Sequence, residues 1–287
     1  MGDEARAATE KKMSNASIFE KVAFDRRPRA LYGRLRRLPV VGAGFGWLAN
    51  RLYPRGCKVW VTVQGGLDKG LWMHLDPRYE ESYRTADYES AVQKFLAEHL
   101  RRGDTFYEVG AHIGFLSLGA ARLVGAEGEV VAFEADPENI ARIEQHLNRN
   151  SLAQARVVPQ AVWSGAGMLR FERASHLSSR NTGAVQEEPT PGRTFDEIEV
   201  EAVALDDYVR GRRPPSLIKI DVEGAEMHVL KGAERLISEQ RPLVLCEVHS
   251  AELAVQVEKW LFEKGYALEW FTGETQFPRH LTARPQR

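Results

Sequence analysis

Phe106-Tyr107-Glu108-Val109-Gly110-Ala111-His112-Ile113-Gly114, followed by Phe133-Glu134-Ala135-Asp136-Pro137, decides how this chain folds. Thr105 to Val109 is a short apolar run of the kind that makes a buried strand, and Ile113 to Leu123 sets Leu116, Ala120 and Leu123 at helical spacing. Gly110 to Gly114 therefore reads as a strand-to-helix turn. Val130 to Phe133 predicts a second buried strand, running into an acid, Glu134, twenty residues after Gly114. That interval puts a carboxylate where the paired hydroxyls of a ribose could be gripped.

The glycines decide which nucleoside fits. A pyrophosphate needs close backbone approach, so a dinucleotide turn has glycine at its first, third and sixth positions. Counting from Gly110, the third and sixth are His112 and Phe115. S-adenosylmethionine (SAM) has no phosphate but carries an ammonium and a sulfonium, and Glu108, just before the first glycine, is placed to attract that cationic end. The simpler alternative is that Glu108 meets a helix N-terminus or a neighbouring arginine. The expected SAM contacts here are Glu108, Gly110, Ala111, His112, Gly114, Glu134 and Ala135.

From Asp104 onward, predicted strands alternate with predicted helices, which implies an α/β fold with a mostly parallel sheet covered on both faces. Pro137 to Asn150 reads as a helix with Pro at its first turn and Asp136 as its N-cap. Arg156 to Val162 reads as the third strand, and Met168 to Phe171 and Ile198 to Val203 as two more, flanking a long polar loop from Ser175 to Arg193. Leu217 to Ile220 and Leu243 to Cys246 supply two further strands of the main sheet.

Open α/β sheets bind ligands beyond the carboxyl ends of their strands, so Asp221, Glu247 and His249 are expected at one crevice, with Glu223 and Glu226 at the start of the following helix. Lys219 and Asp221, two apart, share a strand face and could both line it. Methyl transfer is an in-line displacement that depends on alignment, and a hydroxyl acceptor also needs something to take its proton. His249 has the most suitable unperturbed pKa for that, with Asp221 and Glu247 as alternatives. Asp221, Glu223, Glu247 and His249 would also suit Mg²⁺ or Mn²⁺. The simpler roles are a helix terminus for Glu223 and Glu226, and a cross-strand pair between Glu247 and Lys219.

These stretches, with Val203-Ala204-Leu205-Asp206-Asp207-Tyr208 and Ile218-Lys219-Ile220-Asp221-Val222-Glu223-Gly224-Ala225-Glu226, resemble the FkbM-type methyltransferases from about Tyr79 to about Val248. The resemblance implies a Rossmann-like class I methyltransferase sheet and SAM-dependent O-methylation of hydroxyls on sugars or natural products. It also implies Gln160 and Ala161 beside the adenine, Tyr83 and Tyr88 closing over the cofactor or else packing in the core, and a role for Asn181-Thr182-Gly183 in acceptor recognition or lid closure, with plain flexible surface the alternative; Asp221 is expected at the cofactor from its place at a strand's carboxyl end.

The 287 residues are 43% hydrophobic and 28% charged, with a formal net charge of -1, which argues against a whole-protein nucleic-acid binder. Charge is uneven: Lys21 to Lys58 holds ten basic residues and one acid, Asp25. The expected organisation is a loose tail over 1–20, a basic helical and hairpin region over 21–100, and a SAM-binding catalytic domain over 101–287. The hairpin is Val59–Val63 with Leu71–Leu75, and Tyr79 to Leu100 is mostly helical. Leu31, Leu35 and Leu38 make a helical face ahead of Pro39, and Val40 to Ala49 reads either as a packed cap or as a contact with a membrane surface or lipid-linked acceptor. Two cysteines, Cys57 and Cys246, suit a reducing compartment, and no signal or spanning segment is evident, so a cytoplasmic enzyme is expected. The expected partner is a small hydroxylated acceptor, with homo-oligomerisation left open. A dinucleotide oxidoreductase and a non-catalytic SAM-binding scaffold are the alternatives.

Overall fold

The structure, a computed structural model, describes residues 58–77, 79–173, 183–185 and 196–286. The expectations for the tail, the Leu31–Leu38 helix, Val40–Ala49, Cys57 and most of the Ser175–Arg193 loop, Asn181 and Thr182 included, lie outside those residues. The described chain divides into two compact units, 58–65 with 69–88, and 66–68 with 89–286.

The first unit is the expected hairpin and a short helix. β1 (Val59–Thr62) pairs antiparallel with β2 (Trp72–Leu75), Val61 facing Met73 and Trp60 stacking on His74 at 5.1 Å. Alternation buries Val61, Met73 and Leu75 on one face. α1 (Glu81–Thr85) follows, and the Tyr83 and Tyr88 rings lie 4.2 Å apart within this unit.

The first helix of the second unit is α2 (Ser90–His99). Then come β3 (Thr105–Val109), α3 (Phe115–Val124), β4 (Glu129–Phe133), α4 (Pro137–Arg149) and β5 (Ala155–Val158). β6 (Ala161–Val162), β7 (Gly167–Arg173), β8 (Gly183–Val185), β9 (Asp196–Val203) and α5 (Leu205–Tyr208) form the middle. β10 (Leu217–Ile220), α6 (Glu226–Gly232), a π-helical turn (Leu236–Gln240), β11 (Leu243–Val248), α7 (Ala251–Glu263), β12 (Tyr266–Trp270) and β13 (Arg279–Pro285) complete it.

Seven strands make the main sheet in the order β12-β13-β11-β10-β3-β4-β5. The five from β11 to β5 are parallel, and β13 runs antiparallel between β11 and β12. This is the Rossmann-like sheet that the resemblance implies. Because β4 and β5 extend to one side of β3 while β10 and β11 extend to the other, the strand order reverses between β3 and β10, the position at which such sheets open a crevice.

All five residues of β3 are buried, as strands covered on both faces require. One face of the sheet is apolar: Tyr107, Val109, Val131, Phe133, Ile218, Ile220, Val244 and Cys246 join a single core, with Phe133 edge-on to Tyr208 at 4.8 Å. Cys246 is thus a buried thiol, as expected. The opposite face carries charge, because register sets Glu108 beside Lys219. Both are almost wholly buried, at 2% and 1% exposure.

The third strand is shorter than expected. It stops at Val158 because Pro159 has no N–H to continue the ladder, and Gln160 N bonds back to Val158 O at 2.9 Å. Ala161 and Val162 then leave the main sheet and pair with Ala202 and Val203. They open a second sheet, ordered β6-β9-β7-β8, packed around Phe171, Val200 and Ala202. The strands expected over Met168–Phe171 and Ile198–Val203 are its β7 and β9, each running longer than the sequence suggested.

Candidate active site at the carboxyl ends of the parallel strands

The turn from β3 into α3 is built on alternating left-handed residues: Gly110 (φ +83°), His112 (φ +52°) and Gly114 (φ +78°). A Cβ on Gly110 would lie 1.7 Å from the carbonyl oxygen of Asp221, so the turn abuts the end of β10 and requires glycine for space as well as conformation. Gly114 leaves room for Ile143, whose Cγ1 would be 3.1 Å from an added Cβ. Asp136 caps α4 as expected, accepting from the N–H groups of Glu138 (2.7 Å) and Asn139 (3.4 Å).

Glu134 sits at the carboxyl end of β4 with both oxygens engaged. His112 N donates to Oε2 at 2.7 Å, and Ala135 N and Asp136 N donate to Oε1 at 3.0 and 2.8 Å. Oε1 is filled by its two donors, while Oε2, with one, keeps a lone pair for a ligand hydroxyl. Burial pushes its carboxyl up to about 7, against the pull of those three N–H groups.

Glu108 accepts from the hydroxyl of Ser117 in the first turn of α3. Burial pushes it to about 8, with the Lys219 ammonium working the other way. Gln160, just past Pro159, donates from Nε2 to Glu201 of β9 at 3.1 Å, and Ala161 is buried in β6.

At β10 and β11 the side chains are ionic. Lys219 Nζ lies 2.9 Å from Asp221 Oδ2 and 3.5 Å from Glu89 Oε2, so Lys219 and Asp221 share a face. This corrects the alternative in which Lys219 pairs with Glu247. Burial works to raise the Asp221 carboxyl, and Lys219 overrides it, holding it below the usual carboxylate range.

Glu247 lies inside β11 rather than just past it, and its neighbour across the antiparallel ladder is His280, whose Nε2 is 3.3 Å from Glu247 Oε2. His280 is held in turn by Glu274, which accepts from its Nδ1 at 2.8 Å and its N at 2.6 Å.

His249 follows the strand. Its Nδ1 is 2.7 Å from Oε1 of the buried Glu226, which also accepts from Gly224 N at 2.9 Å. Nε2 faces Glu223 at 3.3 Å and Asp221 at 3.7 Å. Burial would lower the imidazole, but Glu226, with the charges of Asp221 and Glu223, takes it up to about 9, so it is cationic at neutral pH.

Asp221, Glu247 and His249 each bring one ligand atom within 4.8 Å of the other two. Glu223 stands outside that group, in a left-handed turn (φ +53°) before α6, which begins at Glu226. Sequence reasoning missed Glu89, Ser117, Glu274 and His280. Ser117 was open to discovery, since it falls in the first helical turn after the glycines. The partnership of Glu247 with His280 depends on a distant antiparallel strand, which no local pattern announces.

A profile of the methyltransferase FkbM domain fits residues 108–268. A hexuronic acid methyltransferase, AglP, of Haloferax volcanii is 28% identical over 66% of this chain and 75% of its own length. The 31-O-demethyl-FK506 methyltransferase FkbM of Streptomyces tacrolimicus is 31% identical over 54% of this chain and 69% of its own. Among solved structures, a methyltransferase FkbM from Methylobacillus flagellatus aligns with a TM-score of 0.47 and 16% identity, covering 72% of this chain and 59% of that one.

Proposed function

The chain belongs to the FkbM family of SAM-dependent methyltransferases, and from that premise we propose that it methylates a hydroxyl on a sugar or natural-product-like small molecule. The name of one relative specifies a hexuronic acid and that of the other an O-demethyl acceptor, which favours oxygen as the receiving atom.

The residues suit SAM. Two carboxyls flank the glycine turn, and beyond it the acids Glu89, Asp221, Glu223, Glu226 and Glu247 outnumber the cations Lys219 and His249, a surplus of negative charge suited to a cationic ligand. SAM supplies an electrophilic methyl on its sulfonium. Glu134 takes a ribose hydroxyl on the remaining lone pair of Oε2, Gly110 to Gly114 give close backbone approach, and Gln160 with Ala161 flank the adenine. Glu108, neutral on its own, loses its proton when an ammonium is held beside it. The single observation that carries this reading is the anchoring of Glu134 by three backbone N–H groups at the crevice where the strand order reverses.

Asp221, Glu247 and His249 receive the acceptor hydroxyl, with Lys219 fixing Asp221. Asp221 or Glu247 takes up its proton at neutral pH, where Glu226 keeps His249 cationic; His249 becomes the acceptor only once it is neutral, above about pH 9. A second reading, favoured by the 4.8 Å grouping, has Mg²⁺ or Mn²⁺ between Asp221, Glu247 and His249, with Nε2 as the imidazole donor. The ion would then acidify the hydroxyl.

The test is intact-mass screening of glycosides, polyketide-like alcohols and lipid-linked sugars with SAM, with and without chelator. A methylated alcohol is expected. SAM binding with no product across the panel would favour a non-catalytic module, and full activity in chelator would dismiss the ion. Among the described residues no helix is long and apolar enough to cross a membrane.

A further inference from the structure

The second sheet touches the nucleoside end twice, and neither contact involves a residue of the glycine turn. On one side, β6 continues from Gln160, whose amide is held by Glu201. On the other, the last residue of β7 reaches across to the loop after β4. Arg173 donates to Asp136 from Nε at 2.7 Å and from Nη2 at 3.2 Å, and the same Nη2 lies 3.5 Å from Glu138. The guanidinium is a planar fork and Asp136 a buried carboxylate, so this pair fixes orientation as well as distance.

Asp136 connects three structures at once. Its carboxylate caps α4, and its N–H donates to Glu134 Oε1 at 2.8 Å. Glu134 Oε2 accepts from His112 N in the glycine turn at 2.7 Å. A continuous path of hydrogen bonds therefore runs from Arg173 through Asp136 and Glu134 to His112.

We propose that Arg173 is a positioning residue for the methyl donor, setting through Asp136 the carboxylate that grips its ribose. The inference rests on the SAM reading of the crevice.

The test uses the full chain and measures SAM affinity by calorimetry alongside KM and kcat. Arg173→Gln is expected to raise the KM and Kd for SAM about tenfold while kcat at saturating SAM stays within about twofold. Asp136→Asn retains a good helix cap but loses the charged pair, so it is expected to give the same shift without a folding defect. The double variant Arg173→Gln/Asp136→Asn should be no worse than either single, because both break one link. Arg173→Lys, a point charge without the fork, should fall between wild type and Arg173→Gln.

If Arg173→Gln misfolds, Asp136→Asn carries the test. SAM affinity unchanged in Asp136→Asn, a loss confined to kcat, or a double variant that multiplies the single effects would overturn the inference while leaving the methyltransferase reading intact. A wild-type chain that binds no SAM would overturn that reading itself.

Discussion

The crevice has two ends made in different ways. The end that we assign to the nucleoside, at β3 and β4, is mostly backbone: left-handed glycines, N–H groups and one carboxylate that they hold, all within residues 108–136. The end that we assign to the acceptor, at β10 and β11, is mostly side chain, with Lys219, Asp221, Glu226, Glu247, His249 and His280 drawn from separate elements and linked by charge. The first suits a ligand of fixed shape, because backbone geometry is set by local sterics. The second suits an acceptor whose identity changes, because side chains can be exchanged without rebuilding the turn.

Gly110→Ala would break the comparison most severely, since Gly110 is where the two ends meet. A methyl group there must displace the Asp221 carbonyl and also adopt a left-handed backbone. A loss of about 3 to 5 kcal/mol is expected, read as a lower melting temperature, together with loss of SAM binding. Normal stability would mean that the turn and β10 are not in contact.

Glu134→Gln should leave the fold intact and weaken SAM about a hundredfold in calorimetry, because an amide presents one acceptor oxygen in place of two. SAM bound with wild-type affinity would remove the ribose from this carboxylate.

The nucleoside end should also respond to pH. With its carboxyl at about 7, Glu134 must ionise to accept a ribose hydroxyl at full strength, so this group alone is expected to lower SAM affinity about tenfold per unit as pH drops below 7, on top of the proton that Glu108 gives up on binding. Folding has the opposite sign. The folded value lies above the unfolded 4.5, so the contribution of this group to stability is full below that value and is lost as pH rises towards 7. A Kd that is flat from pH 6 to 8 would contradict the assignment.

The smallest effect is expected at the acceptor end. His280→Asn removes the group that pairs with Glu247 and should lower kcat about fivefold with SAM affinity unchanged. A change in SAM affinity instead would mean that the two ends are less separate than their construction suggests.

The same division explains what the sequence disclosed. β3, β4, the glycine turn and the Asp136 cap are legible because each follows from residues within a few positions, and all are found where expected. The third strand was read too long because its apolar run continues past Pro159, where a missing N–H outweighs hydropathy. Lys219 and Asp221 on one face followed from a period of two, whereas Lys219 with Glu89, Arg173 with Asp136 and Glu247 with His280 span 130, 37 and 33 positions and depend on how the chain returns. Alternation predicts which face a side chain takes, and only the assembled sheet supplies the partner there.

The placement of β13 between β11 and β12 bears on synthesis. Residues 266–270 emerge from the ribosome before 279–285, yet they have no hydrogen-bonded neighbour in the sheet until the later strand slots in beside them. Until then β11 presents an open edge next to Glu247, and a nascent chain in that condition is prone to pair with the wrong neighbour. The ionic half of the crevice, where Glu247 faces His280, is therefore completed only when β13 arrives.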